Sequence, residues 1–141
     1  MRLMKGLALA SQLQSILRRE VVTAIDVRDS LEACFRFRVE PFIRGGLRYS
    51  DPEGGDEAFE RRFQNRVQLY FKNLSTPYKR PALRDLREVR AKMASYGGTE
   101  QQPSTLWRMQ ETLIERLFDR AAQNPHDAGL YARHSGWAMA T

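Results

Sequence analysis

Residues 31–51 read LEACFRFRVEPFIRGGLRYSD, and whether they form a strand or a helix decides the class of the fold. As a strand, Phe35, Phe37 and Val39 would face one side and Arg36, Arg38 and Glu40 the other. That alternation suits a sheet that stacks bases and grips phosphates. As a helix, Leu31, Cys34, Phe35, Val39 and Phe42 form an apolar stripe at spacings of three and four. A strand needs partners, since an isolated pair of strands is marginal in water. Only VVTAIDV (21–27) is β-branched enough to offer one, and nothing else in the chain alternates. The helix is therefore expected. It should end near Pro41, which lacks a backbone donor and disfavours helix in the residue before it, with Gly45-Gly46 beyond.

Upstream, Asp29 followed by Glu32 has capping-box spacing, so a helix can start there. The first 19 residues, MRLMKGLALASQLQSILRR, carry Arg2, Lys5, Arg18 and Arg19 and no acid. Leu3, Leu7, Ala10, Leu13 and Leu17 share one helical side, and the pattern continues through Val21, Ala24 and Ile25. This stretch reads either as an organelle presequence or as an ordinary amphipathic helix. No segment reaches the roughly 18 apolar residues of a membrane span.

Downstream, GGLRYSDPEGGD (45–56) is turn chemistry throughout. Phe59, Phe63, Val67, Tyr70, Phe71 and Leu74 then form one apolar face over four turns. Asp56, Glu57 and Glu60 lie at its positive end and Lys72 in its last turn, as the helix dipole prefers. Thr76-Pro77 stops it, and Pro81 can open the next helix, whose thinner stripe is Leu83, Leu86, Val89 or Arg90, and Met93. Gly97-Gly98 ends that one. After TEQQP, Ser104 or Thr105 can cap a last helix carrying Leu106, Leu113, Ile114, Leu117, Phe118 and Ala121 on one face. Asn124-Pro125 closes it, and HDAGLYARHSGWAMAT has no period. The expected fold is all-α: four to five amphipathic helices with an irregular C-terminal tail. Its single domain of 141 residues divides into an N-terminal helical arm (1–44), a three-helix segment (45–124) and an extended tail (125–141).

With 42% hydrophobic and 28% charged residues, the chain can fold rather than stay disordered. Residues 1–92 hold 19 Lys and Arg against 12 Asp and Glu, and the remainder 4 against 5, so the positive field belongs to the first two thirds. Nearly all of it is arginine, whose planar fork matches carboxylates and phosphates. Such a balance suits acidic protein faces, anionic lipid headgroups or nucleic acid. Cys34 is the only cysteine, which excludes an internal disulfide and fits a reducing compartment. It sits on the apolar stripe as a small core residue.

Signatures of catalysis are missing: no G-x-S-x-G, phosphate-binding glycine loop, H-E-x-x-H or dinucleotide fingerprint occurs. His126 and His134 have no cysteine or paired acid at ligand spacing, so neither a metal nor another cofactor is expected. Glu111 and Glu115, one turn apart, read as a solvated helix edge. The expected contact residues are Arg36, Arg38, Arg44 and Arg48, with Phe37 and Tyr49 beside them and the aromatics Phe37, Trp107 and Trp137 exposed as anchors. The same arginines with Phe37 and Tyr49 could bind single-stranded RNA, although Glu32, Glu40 and Asp51 dilute the cluster.

Part of the chain resembles the small matrix-side helical subunit of respiratory complex III, the ubiquinone-binding-protein family. Gly46-Leu47-Arg48-Tyr49-Ser50-Asp51 resembles the family's turn. Arg62-Phe63 through Val67, Leu69, Phe71, Lys72 and Pro77 is similar to its arginine-rich helix and stop, and Pro81-Ala82-Leu83-Arg84-Asp85-Leu86-Arg87-Glu88-Val89 to the start of its final helix. The likeness covers 46–92. It departs from the family in a linker about four helical turns shorter, a longer N-terminal part, and no counterpart for 97–141. It implies a non-catalytic accessory subunit on the matrix side of the inner mitochondrial membrane, with other subunits and anionic lipid headgroups as partners. The runner-up expectation is a basic helical RNA-binding or ribosome-associated protein.

Overall fold

The structure, a computed structural model, describes residues 2–71, 81–96 and 105–124. The described residues form five helices and no strand: α1 (Arg2–Leu17), α2 (Ala24–Ser50), α3 (Gly55–Tyr70), α4 (Leu83–Tyr96) and α5 (Thr105–Ala122). The expected all-α class holds. The tail 125–141, Lys72, Leu74, Pro77 and Gly97-Gly98 lie outside the described residues.

α2 organises the rest. Its start is set by Thr23, whose hydroxyl accepts from the Asp26 backbone N–H at 3.2 Å. The Asp26 carboxylate in turn accepts from the Thr23 backbone N–H at 2.9 Å, a complete capping box. The β-branched run 21–27 is therefore a helix entry and not a strand. Asp29 and Glu32 do not cap; both accept from Arg28, at 3.0 and 2.8 Å. The helix also runs through Pro41 to Ser50, past the expected stop and past position 44, where the arm was expected to end. The proline removes one backbone donor, but Pro41 lies on the exposed side. Val39, Ile43 and Leu47 are buried on both sides of it, so the apolar stripe continues across the break. Burial of roughly 1.5–3 kcal/mol per large apolar side chain outweighs the roughly 3 kcal/mol cost of one internal proline. Gly46–Ser50, expected as a turn, is the end of α2, with Asp51 as its C-cap donating to the Leu47 carbonyl at 2.8 Å.

Gly55, with φ of +51°, supplies the left-handed residue from which α3 folds back along α2. Phe59, Phe63, Val67 and Phe71 recur every four residues and are all buried, as their spacing predicts. Phe35 of α2 meets the Phe63 ring at 6.1 Å and the Tyr70 ring edge-on at 4.9 Å, and Phe59 stacks on Phe63 at 6.2 Å. Such aromatic pairs add about 0.5–1.5 kcal/mol each beyond area burial.

α1 and α5 lie parallel to each other and antiparallel to α2. Gly6 sits beside Leu106 and Phe37, and Leu17 beside Arg120. A methyl group on Gly6 would come within 2.6 Å of Leu106 Cδ1 and 3.2 Å of the Phe37 ring, so a larger residue here would require the Leu106 side chain to shift. α1 ends where the Arg120 guanidinium donates to the Leu17, Arg19 and Glu20 carbonyls at 2.6, 2.8 and 3.1 Å. The Leu17 carbonyl is one that the helix C-terminus leaves over, and the other two belong to the chain that follows it. Leu9, Ala10, Leu13, Ile16 and Leu17 face inward on α1, whereas the expected face members Leu3 and Leu7 are exposed. α4 contributes Leu86, Val89 and Met93, and α5 contributes Leu113, Ile114, Leu117, Phe118 and Ala121, to the one core that all five helices share.

Candidate functional site

The FRFR stretch is helical, so each successive residue turns about 100° and meets a different neighbour. Phe35 enters the α2–α3 core. Arg36, half-exposed, pairs with Glu60 of α3 and lies over the Phe59 and Phe63 rings at 5.2 and 4.9 Å. Phe37, expected as an exposed anchor, is buried where Gly6 lets α1 approach. Arg38 points toward α5 and is only 4% exposed.

Arg38 is the centre of a polar network that joins three helices. Its guanidinium donates to the Glu111 carboxylate and stacks over the Trp107 ring at 3.9 Å. Arg90 of α4 donates to Glu111 at 2.9 Å, to the Glu111 backbone carbonyl at 3.2 Å and to Glu115. Arg87 and Arg90 lie over the Phe118 ring at 4.8 and 5.7 Å. Burial acts to raise the Glu111 carboxyl, but hydrogen bonds and charge from Arg38 and Arg90 outweigh it and hold that carboxyl below the ordinary range. Cys34, one turn before Arg38, is buried; desolvation pushes its thiol up to about 12, partly opposed by the Arg38 charge. Gln110, fully buried, has no hydrogen-bond partner for either amide atom among the described residues, nor have Ser30 Oγ and Arg38 Nε.

Arg44 pairs with Glu40 at 3.3 Å and Asp56 at 3.0 Å and lies over the Phe59 ring at 4.3 Å. Burial acts to raise the Glu40 carboxyl, and hydrogen bonds from Lys5 and Arg44 hold it below its ordinary value. Arg36, Arg38 and Arg44 are thus engaged inside the fold as cross-links between helices. Arg48 and Tyr49 are not: both are exposed, Tyr49 at 93%. Past Glu40 the polar contacts of α2 run to α3, through Arg44–Asp56 and Arg62–Ser50. At 27 residues, or roughly 40 Å, α2 is the longest helix, and its last turns carry Arg48 and Tyr49 at the α2–α3 tip. Beside them Arg44, Leu47, Arg48, Asp51, Pro52 and Gly55 line an open hollow of about 240 Å³. Phe42, 51% exposed, lies two turns before Tyr49.

Trp107 is half-buried against Arg38, and Trp137 lies outside the described residues. Glu111 and Glu115, expected as a solvated edge, are the acceptors of Arg38 and Arg90. The signal that could have found them is the i, i+4 spacing of two acids on the helix that follows an arginine-rich one. Among the described residues no group of three His, Cys, Asp or Glu side chains could hold a metal ion. No helix among them is long and apolar enough to cross a membrane. No protein-family model, curated protein or solved structure matches the chain.

Proposed function

We propose that the chain is a non-catalytic accessory subunit of a larger assembly, docked through the tip of the α2–α3 hairpin. The observation that carries this reading is the contrast among the arginines of α2. Arg36, Arg38 and Arg44 are paired internally, and Arg48 stands exposed beside Tyr49 and an open hollow. Arginine and tyrosine are enriched among the residues that carry the energy of protein interfaces when a partner desolvates them, and Tyr49 stands 93% exposed at a helix end. The resemblance over 46–92 supports a particular assembly, respiratory complex III, with the chain on the matrix side of the inner mitochondrial membrane. The arginine bias and the presequence-like start fit that compartment. In this role the chain needs no cofactor; the helices supply a rigid support and the tip supplies the contact.

The test is a native pull-down of the tagged chain from its own cells at two salt concentrations, with and without nuclease. Co-migration with a membrane-associated complex through both treatments is the expected result. Loss of the partners on nuclease treatment would overturn the reading in favour of RNA binding, whose affinity falls steeply with salt.

A further inference from the structure

We infer that the outer face of α1 is a contact surface for an anionic lipid bilayer, with the helix lying along the headgroups. α1 has two faces. Gly6, Leu9, Ala10, Leu13, Ile16 and Leu17 are buried against the bundle. On the opposite side Leu3, Met4, Leu7, Ser11, Gln14 and Arg18 follow at spacings of three and four, and all are exposed. Leu3, Met4 and Leu7 are exposed at 62, 73 and 49%, a third of the large apolar side chains that the described residues leave in solvent. Met109, 38% exposed, lies at the same end of the bundle, because α5 runs parallel to α1 with Leu106 beside Gly6.

Charge identifies the occupant. The first acid in the chain is Glu20, so the whole outer face of α1 carries none. The first turns of α1 and α5 contain no acid, whereas those of α2, α3 and α4 contain Asp26, Asp56 with Glu57, and Asp85. Two positive helix ends with no acid in their own first turns therefore lie together. Arg18 and Arg108 are exposed on this side of the bundle, while Lys5, also exposed, pairs with Glu40 of α2 at 2.9 Å. An apolar front with basic flanks and no acid is what holds a helix in an anionic bilayer interface. An acidic protein would answer the charge, but its interface would centre on aromatic or arginine anchors in a fitted pocket. Flexible aliphatic side chains standing free suit a fluid surface that needs no matching shape.

This inference is independent of which assembly the chain joins, and it is tested on the purified full chain with vesicles. Co-sedimentation should occur with phosphatidylcholine vesicles that contain phosphatidylserine and be at least about tenfold weaker with phosphatidylcholine alone. Leu3→Gln/Met4→Gln/Leu7→Gln should abolish it. Arg18→Gln/Arg108→Gln should weaken it by about fivefold per charge. Leu69→Gln, which removes an apolar side chain 75% exposed on α3, should change nothing. Circular dichroism checks that each variant is folded; if the triple variant is not, the arginine pair decides. The inference is overturned if the chain ignores phosphatidylserine vesicles, or if folded α1 variants bind as the parent does. It is equally overturned if Leu69→Gln lowers binding as much as they do. Failure here with the pull-down intact would overturn the bilayer contact of α1 and leave the subunit reading standing.

Discussion

Replacing Glu111 by alanine separates an internal cross-link from a surface ion pair. Glu111 is the acceptor shared by Arg38 and Arg90. Without it, Arg38 stays 4% exposed, inside the junction of α2 and α5, with its charge uncompensated. Removing one partner of a fully buried pair costs about 3–5 kcal/mol. The Glu111 side chain is 30% exposed and Arg90 keeps Glu115, which places Glu111→Ala at the low end, about 3 kcal/mol. For a domain of this size that is a fall of roughly 10 °C in Tm. Glu60→Ala is the internal comparison. It breaks the contact to Arg36, but both side chains are more than 40% exposed, and an exposed pair is worth about 0–1 kcal/mol. Urea unfolding followed by circular dichroism measures both. A third variant, Arg38→Met/Glu111→Leu, removes both charges and should recover most of the loss, because apolar replacement of a buried pair is often neutral. Equal effects of Glu111→Ala and Glu60→Ala would refute the claim that Arg38 is an internal fastener.

Three further outcomes follow from the same geometry. Glu111 and Glu40 are both held below the ordinary carboxylate value, so their contribution is present above the unfolded value near 4.5 and is lost as pH falls through the depressed folded values. An acid titration of stability should therefore steepen below about pH 4.5 and flatten in Glu111→Gln. Cys34, raised from 9.0 to about 12, should have about a thousandfold less thiolate than an ordinary cysteine and react with a disulfide reagent only after unfolding; rapid labelling of the native chain would contradict its burial. Pro41→Ala restores a backbone donor at an exposed helix position and should stabilise by about 1–2 kcal/mol after allowing for the looser unfolded chain. A loss of stability would contradict the claim that the proline costs α2 a backbone hydrogen bond.

What the sequence showed and what it hid differ in range along the chain. Spacing over four turns located α3, and the stripes of α4 and α5 were legible for the same reason: one face of each is buried and the other solvated. The strand alternative for 31–51 fell because no partner strand existed. Pro41 and Gly45-Gly46 misled, because local breaker rules say nothing of the buried Val39, Ile43 and Leu47 on both sides. The start of α2 was missed in favour of Asp29 because Thr23 and Asp26 stood inside a β-branched run, where propensity masked the capping box. The candidate contacts failed more instructively. FRFR looked like a surface because arginine is usually exposed, yet its neighbours Glu60, Glu111 and Trp107 lie 24 to 73 residues away. Pairing over such distances is not written in a local pattern. Arg48 and Tyr49, past the last cross-link to α1, kept the exposure expected of them.

The docking claim is tested most directly by placing a photo-crosslinking amino acid at Tyr49 and irradiating the native cells, with Val21, exposed just before the start of α2, as the comparison site. The account predicts covalent adducts to protein subunits of one complex from position 49 and none of comparable yield from position 21. Adducts to RNA at position 49, or partners captured only from position 21, would contradict it.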